Sequence, residues 1–201
     1  IESSAKPESP WLFLKPEITK ALHRFIAASA YEAQEGINTR GANGIFWVRL
    51  KQDAGSSFVV ENMPEEGRQK GSSLPRIAHA VEKDAVYPLL RGEDVKRWIA
   101  RPSSNILVPS DPKTGQTLSE TSLRTSCPKL YSYLSKFRGE LSSRRMYGKP
   151  IKGDFPFFNL FQVNEKTFAK YKVVWKEIAG EISGKGVFSA AVVGPTEMEQ
   201  R

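Results

Sequence analysis

Cysteine, histidine and long apolar runs are almost missing from this chain, and each shortage removes a class of function. Its 201 residues include one cysteine and two histidines. The single thiol, Cys127, makes neither an internal disulfide nor a thiolate metal cluster. His23 and His79 are far apart and complete neither a zinc set nor a convincing Cys–His pair. No run of 18 apolar residues occurs, so no membrane span is expected. Ile1 to Pro7 carries no initiator methionine and no signal-peptide core, which favours a cytoplasmic piece of a longer protein. Gly180 to Gly186 has the look of a phosphate loop, but its spacing is one residue short and no Ser/Thr follows Lys185. There is also no Glu-x-Lys unit of the kind restriction nucleases use.

What is present is positive charge, unevenly placed. The formal net charge is +8, yet residues 1–85 hold 11 basic and 11 acidic side chains. Residues 86–201 hold 19 against 11 and so carry the whole excess. The densest part runs through Lys129, Lys136, Arg138, Arg144, Arg145, Lys149 and Lys152, with Glu140 as the one acid between them. Such a cluster is the electrostatic footprint of a polyanion partner, and equally the solvated face of a helix.

Periodicity predicts an α+β domain on an antiparallel, hairpin-rich sheet, with two main helices packed on it. The first helix opens at Pro16-Glu17 and places Ile18, Leu22, Phe25 and Ile26 on one face, with His23 as a boundary or core residue. The second opens at Pro128, capped by Ser126 or Cys127. In it Leu130, Leu134, Phe137 and Leu141 form one apolar stripe, leaving the cations at 129, 136, 138 and 145 outside it. Strands are expected near 45–50, 57–62, 77–81, 86–90, 105–108, 171–178 and 186–193, with a helical turn at Asp94–Trp98. Residues 64–73 and 146–154 read as loops. The aromatic run Phe155 to Phe161 suits core packing better than base stacking.

Three segments carry the most information. Gly36-Ile37-Asn38-Thr39-Arg40-Gly41-Ala42-Asn43-Gly44 is a glycine- and asparagine-rich turn running into Ile45-Phe46-Trp47-Val48-Arg49-Leu50. The second is Val86-Tyr87-Pro88-Leu89-Leu90-Arg91-Gly92-Glu93-Asp94-Val95-Lys96-Arg97-Trp98. The third is Tyr171-Lys172-Val173-Val174-Trp175-Lys176-Glu177-Ile178-Ala179. In this order they resemble the TaqI-like C-terminal specificity domain of N6-adenine DNA methyltransferases and combined restriction–modification enzymes. That family pattern has a Gly-rich TG-x-N turn before a strand, a YPLLRG-x-D-[IV]-x-x-W segment and a K-[IV]-[IV]-W-x-E-[IA] strand. The resemblance spans roughly residues 31 to 193, and Arg40 departs from it by interrupting the Thr-Gly pair.

The resemblance implies a DNA target-recognition domain over 36–201, preceded by a helical segment over 1–35. Duplex DNA and an N-terminal methyltransferase domain of the same parent chain would be its partners. S-adenosylmethionine would belong to that parent, with no cofactor in this chain; the flipped-adenine motif needs a Pro-Pro pair that is absent here. Candidates for base-edge or turn contacts are Asn38, Thr39, Arg40, Gly41, Asn43, Arg91, Lys96 and Arg97, because Asn pairs with adenine and Arg with guanine in the major groove. Candidates for phosphate contacts are Lys129, Lys136, Arg138, Arg144, Arg145 and Lys149. Two structural alternatives stand beside these: the 36–44 turn as an ordinary polar turn, and Arg91 tied to Asp94 with Trp98 in the core. A protein-interaction or scaffold domain with a basic surface is the competing function, an enzyme of unrecognised type the third, and RNA an alternative nucleic acid.

Overall fold

A computed structural model describes residues 32–67, 74–176 and 188–195. The chain divides into two compact units, Ile1–Gln34 and Glu35–Arg201, and the second holds nearly all of these residues. The helix expected at Pro16, His23, the Gly180–Gly186 loop and parts of the late strands lie outside them.

The fold is α+β. Its main sheet uses Trp47–Asp53 (β1), Ser57–Asn62 (β2), Ala78–Glu82 (β3), Val86–Leu89 (β4) and Ser104–Leu107 (β7), in the order β3-β2-β1-β7-β4. Every pairing is antiparallel. Pro88 is accommodated because β4 is an edge strand, where a missing N–H costs no ladder bond. Between β4 and β7 lies a short ribbon, Val95–Lys96 (β5) against Ile99–Ala100 (β6). It packs on a second ribbon, Lys172–Trp175 (β10) against Ala190–Val193 (β11), around a small core of Val95, Ala100, Ala191 and Val193.

The strand expected at 45–50 starts later. Asn43–Phe46 is a single helical turn (α1), and β1 begins at Trp47. Gly44 is required there: a Cβ would lie 3.0 Å from Leu74 Cδ1 and 3.1 Å from the Met63 carbonyl. Buried Asn62 fixes the same corner, donating from Nδ2 to the Gly44 and Pro75 carbonyls and accepting from the Ile77 N–H. The turn expected at Asp94–Trp98 is displaced too, with a 3-10 turn at Gly92–Asp94 and then β5.

The long helix expected from Pro128 is two pieces, Pro128–Ser135 (α3) and Arg138–Ser142 (α4), and an unexpected helix, Glu120–Ser126 (α2), precedes it. Leu130, Leu134, Phe137 and Leu141 are all buried, so the stripe survives the break between α3 and α4. Neither Ser126 nor Cys127 caps α3 with its side chain. Glu82 of β3 does so from a distance, its carboxylate accepting from the Lys129 and Leu130 N–H groups, each at 2.9 Å. Phe157, Phe158 and Leu160 join the main core, as the packing reading of that aromatic run expects.

Candidate nucleic-acid interface

The Gly-rich segment folds into a tight turn whose polar side chains mostly build the turn itself. Asn38 is bridged to Phe161 by two backbone bonds of 2.9 and 3.0 Å. Its Oδ1 accepts from the Arg40 N–H at 2.8 Å, the local side-chain bond that makes Asn a turn former. Arg40 (φ 53°) and Gly41 (φ 87°) follow in left-handed conformation, the sign pattern of a type I′ turn. Thr39 is buried, and its hydroxyl donates to Asn43 Oδ1. Asn38 and Thr39 are therefore spent on local geometry. Arg40 is half-buried, its guanidinium 5.0 Å from the Phe161 ring centre and its buried Nε without a hydrogen-bond partner.

Beneath this turn lies Arg144, which corrects one expectation. As a phosphate contact Arg144 would need to be exposed; it is 7% exposed. Its guanidinium donates to four carbonyls: Leu141 at 2.9 Å, Thr39 at 3.0 Å, Asn159 at 2.8 Å and Phe157 at 2.8 Å. Burial lowers its pKa to about 10, which still leaves it cationic at neutral pH. The fixed fork of a guanidinium suits several diverging acceptors as no ammonium does. Arg144 is the keystone joining the turn, α4 and the Phe157–Asn159 segment.

Next along the chain, Arg145–Met146 (β8) and Lys149–Pro150 (β9) form a small hairpin in place of the expected loop. Its tip, Tyr147 (φ 51°) and Gly148 (φ 77°), repeats the two left-handed residues of the 40–41 turn. Arg145 donates to the Gly148 carbonyl across the tip at 3.3 Å. Turn, hairpin and the Leu89–Gly92 segment border one open groove of about 880 Å³. Glu35 and Glu140 also reach its wall, so its charge is mixed.

The groove gathers Asn38, Thr39, Arg40, Gly41, Asn43, Arg91 and Arg145, with Arg144 in its wall. Arg91 faces it with both terminal guanidinium nitrogens engaged and its buried Nε without a hydrogen bond. It pairs with Glu66 at 2.9 Å and with Glu93, donates to Ser103 Oγ at 2.9 Å, and sits 5.8 Å from the Trp47 ring centre. Its backbone N–H donates to Asp94 Oδ2 at 2.8 Å, the tie to Asp94 expected on the structural alternative. The other half of that alternative is corrected: Trp98 is 76% exposed at the β5–β6 tip, held by its N–H to the Ala190 carbonyl.

The remaining candidates lie outside the groove lining. Lys96 and Arg97 are exposed on the β5–β6 ribbon, Arg97 resting 5.6 Å from the Trp98 ring centre. Lys129 is exposed, with Nζ donating to Ser57 Oγ. Arg138 pairs with Glu120 at 2.8 Å and lies 3.8 Å from the Phe157 ring centre; its guanidinium holds the Glu120 carboxyl below the usual range. Lys136 and Lys149 are exposed and form no ion pair among the described residues. Lys96, Lys136, Arg145 and Lys149 are thus exposed candidates without an ion pair among the described residues.

Sequence reasoning overlooked Tyr147, Met146 and Glu66. Gly148 was the one available signal, since a type I′ hairpin turn favours Gly at its second central position, but Tyr147 before it is not one of the preferred Asn, Asp or Gly residues. Among the described residues no group of three or more His, Cys, Asp or Glu is placed to hold a metal, and no helix is long and apolar enough to cross a membrane. Comparison of the chain with family models, with curated proteins and with solved structures finds no match.

Proposed function

We propose that this chain is a double-stranded DNA target-recognition module, serving an N6-adenine methyltransferase whose catalytic domain and S-adenosylmethionine site belong to the parent protein. One observation carries the reading: two type I′-like turns, far apart in sequence, present Arg40 and Tyr147 to the same groove beside Arg145. Left-handed backbone at non-glycine residues is costly and gathers at functional sites. Arg40 and Asn43 supply the groups for base edges, while Arg145, Lys136 and Lys149 supply sequence-independent phosphate contacts. Arg91, held by its acids, orients the groove wall rather than meeting DNA.

The test is fluorescence anisotropy of the chain with labelled duplex over a salt series. Log affinity should fall with log salt by about 0.9 for each neutralised phosphate. The Lys136→Glu, Arg145→Glu double variant should lower the slope by roughly 2 on the same count and weaken all duplexes alike. Absence of binding at low salt, or undiminished binding by the double variant, refutes the proposal.

A protein-interaction role is the second reading, and one feature favours it. On the β10–β11 ribbon Val173 and Val192 are cross-strand partners and both exposed, with exposed Tyr171, Trp175 and Phe188 nearby. Lys170 adjoins exposed Tyr171 in the chain, which fits a protein subunit with an apolar centre and an acidic rim. That reading requires no duplex affinity, so the same anisotropy titration separates the two.

A further inference from the structure

The β8–β9 hairpin holds a feature that phosphate binding leaves unexplained. Tyr147 at its tip is 93% exposed, and among the described residues it has no hydrogen-bond or ring partner. Aromatic rings normally bury most of their surface, so a fully presented one points to a partner that covers it. Met146 beside it is 38% exposed, which extends the apolar tip.

The tip is firmly rooted. Arg144 immediately precedes β8 and is buried with its guanidinium on four carbonyls. The Ile151 N–H returns to the Arg144 carbonyl, which closes the base of the hairpin. Arg145 donates to Gly148 and so ties the tip to its own stem. Arg145 and Lys149 are hairpin residues on either side of the tip, and Lys152 follows in sequence. An aromatic group on a braced hairpin, with a cation on each strand and bordering a groove, has the chemistry of a side chain that enters a base stack.

We infer that Tyr147 is an unstacking wedge: when duplex DNA lies in the groove, its ring inserts beside a base and opens one stacked step. The inference rests on the DNA reading above and adds to it a deformation of the duplex. Opening a step has a free-energy cost in an intact duplex and almost none where the step is already broken. Wild-type protein should therefore prefer a duplex with one central abasic site over the intact duplex of the same sequence.

The experiment measures both affinities by anisotropy at one salt concentration for wild type, Tyr147→Ala and Tyr147→Phe, with melting curves for all three. Wild type should favour the abasic duplex about tenfold, a modest share of one unstacking cost. Tyr147→Ala should bring that ratio close to one while keeping the salt slope. Tyr147→Phe should keep the ratio, because the ring and not the hydroxyl acts. A wild-type ratio near one, with ordinary salt-dependent binding, overturns the wedge and leaves the DNA reading standing. A ratio unchanged in Tyr147→Ala, or lost in Tyr147→Phe, also overturns it. Failure of wild type to bind either duplex overturns both.

Discussion

Replacing Arg144 separates a structural keystone from a phosphate contact, because the two roles predict opposite pairs of results. In Arg144→Met the four carbonyls of Thr39, Leu141, Phe157 and Asn159 lose their charged donor together. Bonds to a charged group contribute about 1.5–3 kcal/mol each, and a stranded buried acceptor costs about 1–3 kcal/mol. These terms are not additive, and removing a buried cation returns part of its desolvation cost. A net loss of about 3 kcal/mol follows, within the roughly 2–5 kcal/mol range of broken buried networks. For a unit of this size that lowers Tm by roughly 6–12 °C, read by circular dichroism. Arg144→Lys keeps the charge but has one ammonium for acceptors that diverge, so it should recover less than half of the loss. In duplex titrations Arg144→Lys should keep the wild-type salt slope. A Tm change below about 2 °C in Arg144→Met, together with a slope lowered by about 0.9, would refute the keystone and restore Arg144 to the phosphate set.

Glu82→Ala removes the remote cap of α3 and should cost about 1–2 kcal/mol in urea unfolding, with Glu82→Gln recovering part of it; an unchanged midpoint would show that α3 needs no cap from β3. The His79 ring lies 5.9 Å from that of Tyr133, and burial, assisted by Lys136 and opposed by Glu82, holds its pKa below the ordinary value. The unfolded chain therefore takes up this proton first: the stabilisation is complete above about pH 6.5 and is lost as pH falls toward the folded pKa. His79→Phe should flatten the urea midpoint between pH 7.5 and 5.5 relative to wild type, and parallel pH curves would reject the assignment. Arg40→Gly keeps the left-handed turn and should leave stability equal or raised by up to about 1 kcal/mol, while removing about 1–3 kcal/mol of base discrimination in competition with pooled duplexes. Unchanged sequence preference and affinity would remove Arg40 from the interface.

The sheet was legible in the sequence because its strands announce themselves locally. Phe58, Val59 and Val60, or Ile106 and Leu107, are β-rich runs bounded by turn residues, and they pair as such. The apolar stripe of α3 and α4 was legible for the same reason. The break between them was not, since Phe137 leaves helical geometry (φ −112°, ψ 21°) while its side chain still points into the core. Helix α2 was invisible: Leu123 is its one buried residue, so it has no stripe, and Ser119 caps it by accepting from the Ser122 N–H at 3.1 Å. Gly44 was legible as a turn glycine, but the neighbours that demand its lack of a side chain, Leu74 and Met63, come from other parts of the chain.

The groove was half legible, and the missing half follows a rule. A cation count along the sequence treats Arg144 and Arg145 alike, because nothing local distinguishes them. Their fates differ by one hairpin register: β8 begins at Arg145, which turns outward, while Arg144 turns in toward carbonyls supplied from residues 39, 141, 157 and 159. Acceptors for a buried arginine are a property of the assembled fold. Arg91 obeys the same logic, since Glu66 reaches it from 25 positions away in the chain. The residues that stay free to meet a partner are then those for which the fold provides no acidic partner. At this groove that leaves Arg145, which has no ion pair among the described residues and donates to the Gly148 carbonyl of its own hairpin. With Tyr147 between Arg145 and Gly148, the groove presents an exposed cation without an ion pair beside an uncovered ring, so a charged ligand with stacked aromatic faces satisfies both, whereas a simple anion satisfies only the first.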